Sequence, residues 1–229
     1  MKLASIATAL AAFTGVTLAA TAMPASATSF SFSFSFDNIS GGDKVGDSFA
    51  SEFSFDVTDY GSNKVLFKFS NNATTGTNAI KQVAFSLEDS VSSLLSNIAV
   101  DVNNVGNVDF KNDAKNLSQT NKLGAAWFGE QFGAVTKGGN SNSIQKGESL
   151  GITFTANYQA VIDALTDNKL RVGIHVGSLP NDKSDSYVNT YYTPPAPPRK
   201  KVPEPASLLG LGLVASGMLM SRRRRTIPN

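Results

Sequence analysis

Ser149 lies in Gly147-Glu148-Ser149-Leu150-Gly151, the G-x-S-x-G pattern that presents a nucleophilic hydroxyl, and Asp163 or Asp167 and then His175 follow in the chain order of a hydrolase triad. In that chemistry the imidazole takes the serine proton and the carboxylate orients the imidazole. The elbow requires a strand before the serine and a helix after it. Here Gly138-Gly139-Asn140-Ser141-Asn142-Ser143 reads as loop and Ile152-Thr153-Phe154 as strand, so the context is reversed. A serine hydrolase using Ser149 and His175 therefore stands as an alternative reading, and no residue is assigned a catalytic role.

Other residue types suggest other chemistries. His175 is the sole histidine, which excludes a multi-histidine zinc site, and its alternation with Val172, Ile174 and Val176 predicts a surface or edge ring facing away from the apolar set. Oxygen ligands gather in Asn181-Asp182-Lys183-Ser184-Asp185 and at Asp43 with Asp47, as calcium would require. Neither segment has the spacing of a known calcium loop, so both read as solvated turns and no metal is assigned. Trp127, Phe128 and Phe132, between Gly124 and Gly133, could stack on a sugar ring; anchoring that loop into the core is the preferred reading. Three N-x-S/T sequons, at Asn38, Asn72 and Asn116, add little.

The elements that must carry these residues are strands. Phe30, Phe32, Phe34 and Phe36 alternate with serines, a period of two that gives one apolar and one polar face. Phe53, Phe55 and Val57 repeat the pattern, as do Val65, Phe67 and Phe69, then Val83, Phe85 and Leu87. Turn residues separate these runs at 41–43, 59–63 and 71–76. Helical spacing occurs twice, at Val91, Leu94, Leu95 and Ile98, and at Tyr158, Val161, Ile162 and Leu165, with Asp167-Asn168 ending the second. The expected fold is all-β: a single antiparallel β-sandwich or jelly roll with one or two short helices, holding Phe30, Phe53, Phe55, Phe67, Phe69, Phe85 and Phe154 in one core.

Charge and cysteine content narrow the function. Between Thr28 and Thr193 twelve basic residues face seventeen acidic ones, a balance of −5 that lacks the footprint of nucleic-acid binding. With no cysteine, the chain has no disulfide framework, thiol nucleophile, thiolate metal site or lipid-bearing cysteine, and no cofactor is implied.

Both ends read as processing segments. Lys2, the apolar stretch Leu3 to Ala20 and the small residues of Ala25-Ser26-Ala27 predict a signal helix over 1–27 cleaved after Ala27, with the Thr21 to Met23 region as an alternative. The folded domain spans 28–193, and the prolines of 194–202 predict an extended linker. A tail over 203–229 opens on Pro203-Glu204-Pro205 and continues with the apolar run Ala206 to Met220, fifteen residues that cover about 22 Å as a helix, less than the roughly 30 Å bilayer core. Arg222, Arg223, Arg224 and Arg225 follow and would hold the C-terminus in the cytoplasm, leaving the domain outside.

In the order of its parts this tail, about Val202 to Arg225, resembles the PEP-CTERM sorting signal of Gram-negative bacteria. The blocks Gly147 to Phe154, Leu170 to Val176 and Ser184 to Asn189 resemble cyanobacterial PEP-CTERM ectodomains, over roughly Ser48 to Asn189 but thinly between Asn103 and Gly139. The resemblance implies transient inner-membrane anchoring, signal peptidase and exosortase as processing partners, and release near Pro203-Glu204-Pro205 to the surface. It carries over no catalytic residue. The expected protein is a non-enzymatic surface or matrix component associated with exopolysaccharide or biofilm; a carbohydrate-binding module is a further alternative.

Overall fold

The computed structural model describes residues 30–41 and 44–191. The expected signal segment, Asp43, the expected linker, and Pro203, Glu204, Pro205 and the arginine cluster of the tail lie outside the described residues, as do Ala25 and Ala27. Among the described residues ten strands form: β1 (Ser31–Asn38), β2 (Phe53–Gly61), β3 (Lys64–Asn71), β4 (Ala79–Leu87), β5 (Ser96–Val100), β6 (Phe110–Asn112), β7 (Phe132–Thr136), β8 (Ser149–Thr155), β9 (Leu170–Leu179) and β10 (Lys183–Asn189). Their order is β5-β8-β3-β2-β1-β10-β9-β4-β7-β6, antiparallel throughout.

β1 makes this one folded-over sheet. Its first half, Ser31 to Ser35, pairs with β2, and its second half, Phe36 to Asn38, pairs with β10. Two layers result, joined at that strand: a first sheet β5-β8-β3-β2-β1 and a second, β1-β10-β9-β4-β7-β6. The all-β sandwich expected from the alternation is the architecture observed.

Strand alternation delivers the core. Phe53, Phe55, Phe67, Phe69, Phe85 and Phe154 are buried together with Leu150, Ile152, Val172, Ile174 and Val176. Phe85 from the second sheet meets Phe67 and Phe154 of the first edge-on, at centroid distances of 5.1 and 5.0 Å, the geometry that aromatic quadrupoles favour. Phe30 is the exception and corrects the expected core, being 67% exposed. At that end β1 pairs with β2 alone, because its ladder with β10 runs only from Phe36 to Asn38, so no second layer covers the ring.

The second helical stretch forms as expected. Helix α1 (Tyr158–Thr166) is capped by the Asn157 side chain, which accepts from the Ala160 amide at 3.0 Å, and it buries Val161, Ile162, Ala164 and Leu165. The first stretch does not: after a single 3-10 turn at Asp89–Val91 the chain enters β5, where Ile98 serves a strand.

A second, smaller apolar layer lies outside the second sheet. Val188, Gly173, Ala84 and Gly133 align across β10, β9, β4 and β7, and their small side chains leave a trough. Leu117 and Trp127 pack there with Ile39 and Val188, and a Cβ on Gly173 would collide with Leu117 Cδ2.

Candidate functional site: a hydroxyl-lined face and its groove

Ser35, Ser54, Ser70 and Ser149 stand in register across β1, β2, β3 and β8. Their neighbours Phe34, Phe36, Phe53, Phe55, Phe69 and Leu150 point into the core, so all four hydroxyls face outward. Next to this row, Ser33, Asp56 and Lys68 are likewise aligned, and Ser33 donates to the Asp56 carboxylate. Ser54 accepts from Asn72 Nδ2 at 2.9 Å, and Ser35 lies 3.1 Å from the Thr190 hydroxyl.

The row ends in a groove of about 310 Å³ over Ser149, lined by Lys68, Ser70, Asn72, Val105, Glu148 and Ser149 among others. Gly147 makes the turn into β8 with φ of +78°, a conformation that costs glycine little. Glu148 then ties three segments together: its Oε1 accepts from the Asn107 amide at 2.8 Å and its Oε2 from the Gln145 amide at 2.9 Å. Val105 runs beside Ser149 and exchanges two backbone hydrogen bonds with it, each 3.0 Å. Under this cover Ser149 is only 4% exposed, yet its Oγ has no hydrogen-bond partner among the described residues. Lys68 likewise forms no ion pair among the described residues.

This geometry dismantles the hydrolase reading. Ser149 leaves the outer face of the first sheet, whereas His175, alternating with buried Val172, Ile174 and Val176, leaves the outer face of the second. The whole core lies between them. Asp163 instead accepts from Gln159 Nε2 at 2.8 Å, and Asp167 pairs with Lys169 at 3.1 Å. His175 Nδ1 sits 3.0 Å from Ser186 Oγ.

His175 faces away from the apolar set as expected, but on an inner strand and not an edge: β9 lies between β10 and β4, and the ring is half-buried; burial holds its pKa below the ordinary imidazole value, with the Lys81 charge adding to the effect and Asp185 opposing it. The Asn181 to Asp185 segment divides into a 3-10 turn at Pro180–Asp182 and the start of β10, where Asp185 is fully buried. Its Oδ2 accepts from Asn38 Nδ2 at 2.8 Å and its Oδ1 from the Ser186 amide at 2.9 Å, so it is an internal clamp and not a solvated turn residue. Among the described residues no group of three or more acidic or histidine side chains is placed to hold a metal ion. Asp101 and Asp109 do approach each other, with Lys137 set between them at 3.9 and 2.6 Å.

Trp127 behaves as a loop anchor. Its Nε1 donates to Glu130 Oε1 at 3.1 Å, the same oxygen that accepts from the Leu117 amide at 2.8 Å, and its ring lies in the trough of the second sheet. Arg171, almost wholly buried at the start of β9, stacks 4.0 Å beneath the exposed Tyr191 ring and donates to Asn168 Oδ1 at 3.1 Å.

Beyond the folded domain, the family model for the PEP-CTERM protein-sorting motif matches residues 201–225. The chain carries a PEP-CTERM sorting motif. Such a motif marks proteins that are exported and sorted to the cell surface or extracellular space, held by a C-terminal membrane anchor before an exosortase processes them. The matched span contains the proline motif, the apolar run and the arginine cluster read from the sequence. No curated protein sequence matches the chain. Among solved structures, one concerned with pH-induced modulation of Streptococcus parasanguinis adhesion by Fap1 fimbriae aligns at 12% identity over 75% of this chain and 99% of that chain. Its TM-score is 0.39, too low to bear on fold or function.

Lys68, Ser70 and Glu148 are site residues that sequence reasoning overlooked. Outward serines and a lysine were visible in the alternation, but the cross-strand register that lines them up was not.

Proposed function

We propose that the mature PEP-CTERM protein is a non-enzymatic component of the cell surface or extracellular matrix whose folded domain contacts surface polysaccharide, as in a biofilm. The observation that carries this reading is the outer face of the first sheet, where Ser35, Ser54, Ser70 and Ser149 form a row of hydroxyls beside Asn72 and Asp56. Such a face offers many neutral donors and acceptors to a polyol. The separation of Ser149 from His175 supports a binding role over hydrolysis.

The precursor reaches that place in two cuts. Signal peptidase removes 1–27 after Ala27, and the domain of 28–193 is translocated. The linker of 194–202 spaces it from the membrane, where the run Ala206 to Met220 is held by Arg222, Arg223, Arg224 and Arg225 on the cytoplasmic side. Exosortase then cuts near Pro203, Glu204 and Pro205.

Glycan-array binding of the purified protein tests the polysaccharide role. Binding to at least one class of surface glycan is expected. A blank array would leave a purely structural matrix protein and remove the carbohydrate reading.

A further inference from the structure

We propose that the groove over Ser149 binds a sugar acid, a single uronate-type unit within a longer acidic polysaccharide. The inference rests on the polysaccharide reading above and names its site and ligand class. A cavity of about 310 Å³ is the right size for one or two sugar units and lies at the small end of ligand sites generally.

Two groups in the groove call for a ligand of this chemistry. The Ser149 hydroxyl is buried, outward-facing and unpartnered among the described residues, an arrangement that is costly unless something completes it. A sugar hydroxyl can do so, because it both donates and accepts. Lys68 lines the same groove and has no ion pair among the described residues, so its ammonium is available to a carboxylate. The other charge at the groove wall, Glu148, remains negative but forms no ion pair with Lys68 among the described residues, its two oxygens being taken up by the Asn107 and Gln145 amides. Ser70, one strand over from Ser149, supplies a third polar contact. The ligand so described has hydroxyls along one edge and a single negative charge beyond them.

Titration calorimetry on the full-length protein in mild detergent tests this, with digalacturonate as the acidic probe and galactobiose as its neutral counterpart. Digalacturonate should bind more tightly than galactobiose. Lys68→Met should weaken the acidic disaccharide about tenfold or more, the loss of one charge-assisted hydrogen bond, and erase the preference for it. Ser149→Ala should weaken both sugars without lowering the melting temperature. Equal binding of the two probes, or binding that neither substitution changes, would overturn the site. If glycan-array hits persist in both variants, this groove is wrong while the polysaccharide role stands; if the array is blank and digalacturonate does not bind, both fail.

Discussion

Ser149 and His175 project from opposite outer faces of the sandwich, with Phe67, Phe85 and Phe154 packed between the two sheets that carry them. Two sheets packed face to face stand about 10 Å apart, and side chains leaving their outer faces are farther apart still. Proton transfer between the two residues would need hydrogen-bond reach. Wild-type protein should therefore release nitrophenolate from p-nitrophenyl butyrate no faster than His175→Ala. A His175-dependent rate about a hundredfold above background, the least that a general base contributes, would restore a hydrolase reading.

The aromatic core predicts a sharp contrast between phenylalanines of the same sequence pattern. Phe85→Ala, which removes the ring contacts to Phe67, Phe69 and Phe154 across the two sheets, should cost about 3–5 kcal/mol in urea denaturation. Phe30→Ala, at an exposed position, should change stability by no more than about 0.5 kcal/mol. Comparable losses at the two sites would mean that β1 is covered along its whole length.

That contrast also marks how far the fold could be read in the sequence. The period of two at Phe53 to Val57 and at Val83 to Leu87 is a local property, and so is the helical spacing from Tyr158 to Leu165 with its Asn157 cap. Those elements formed where expected. Exposure of Phe30 depends on where β10 stops, more than 150 residues along the chain. The small-residue trough of Gly173, Ala84 and Gly133 and the groove over Ser149 arise from register between distant strands, which periodicity within one strand does not encode. Burial of Ser149 likewise needs Val105, brought alongside by the segment that follows β5.

Gly46, in a 3-10 turn at Gly46–Ser48 between β1 and β2, tests the packing of that segment against β10. A Cβ there would collide with the Asp185 carboxylate, which cannot easily move because Asn38 and the Ser186 amide hold it. Gly46→Ala should therefore cost about 1–3 kcal/mol, as overpacking does. Combined with Asp185→Ala, its penalty should shrink, a non-additivity that chemical denaturation of the four proteins would reveal.

A half-buried imidazole and a buried phenol give opposite pH dependences. His175 has a depressed folded-state pKa, so the unfolded chain takes up a proton that the folded chain resists. Its contribution is fully present above about pH 6.5 and is lost as the pH falls through the lower folded value. His175→Gln should lose less stability than wild type between pH 7.5 and 5. Tyr187, whose hydroxyl donates to the Gly46 carbonyl at 2.9 Å, has its pKa raised by burial and then by Asp185, Glu52 and Asp47. Stability should fall above about pH 10, where the unfolded phenol ionises first, and Tyr187→Phe should flatten that limb. Identical pH profiles for the wild type and both variants would contradict these environments.

The sorting of the chain is tested most directly by intact-mass measurement on protein recovered from the surface of the native cells. Removal of Lys2 and of Arg222 to Arg225 would shift the net charge from +2 to about −3, so the product should also migrate as an acidic species. A mature protein beginning near Thr28 and ending near Pro205 is the predicted result. Surface material that still ends at Asn229 would mean a permanent anchor and contradict exosortase release.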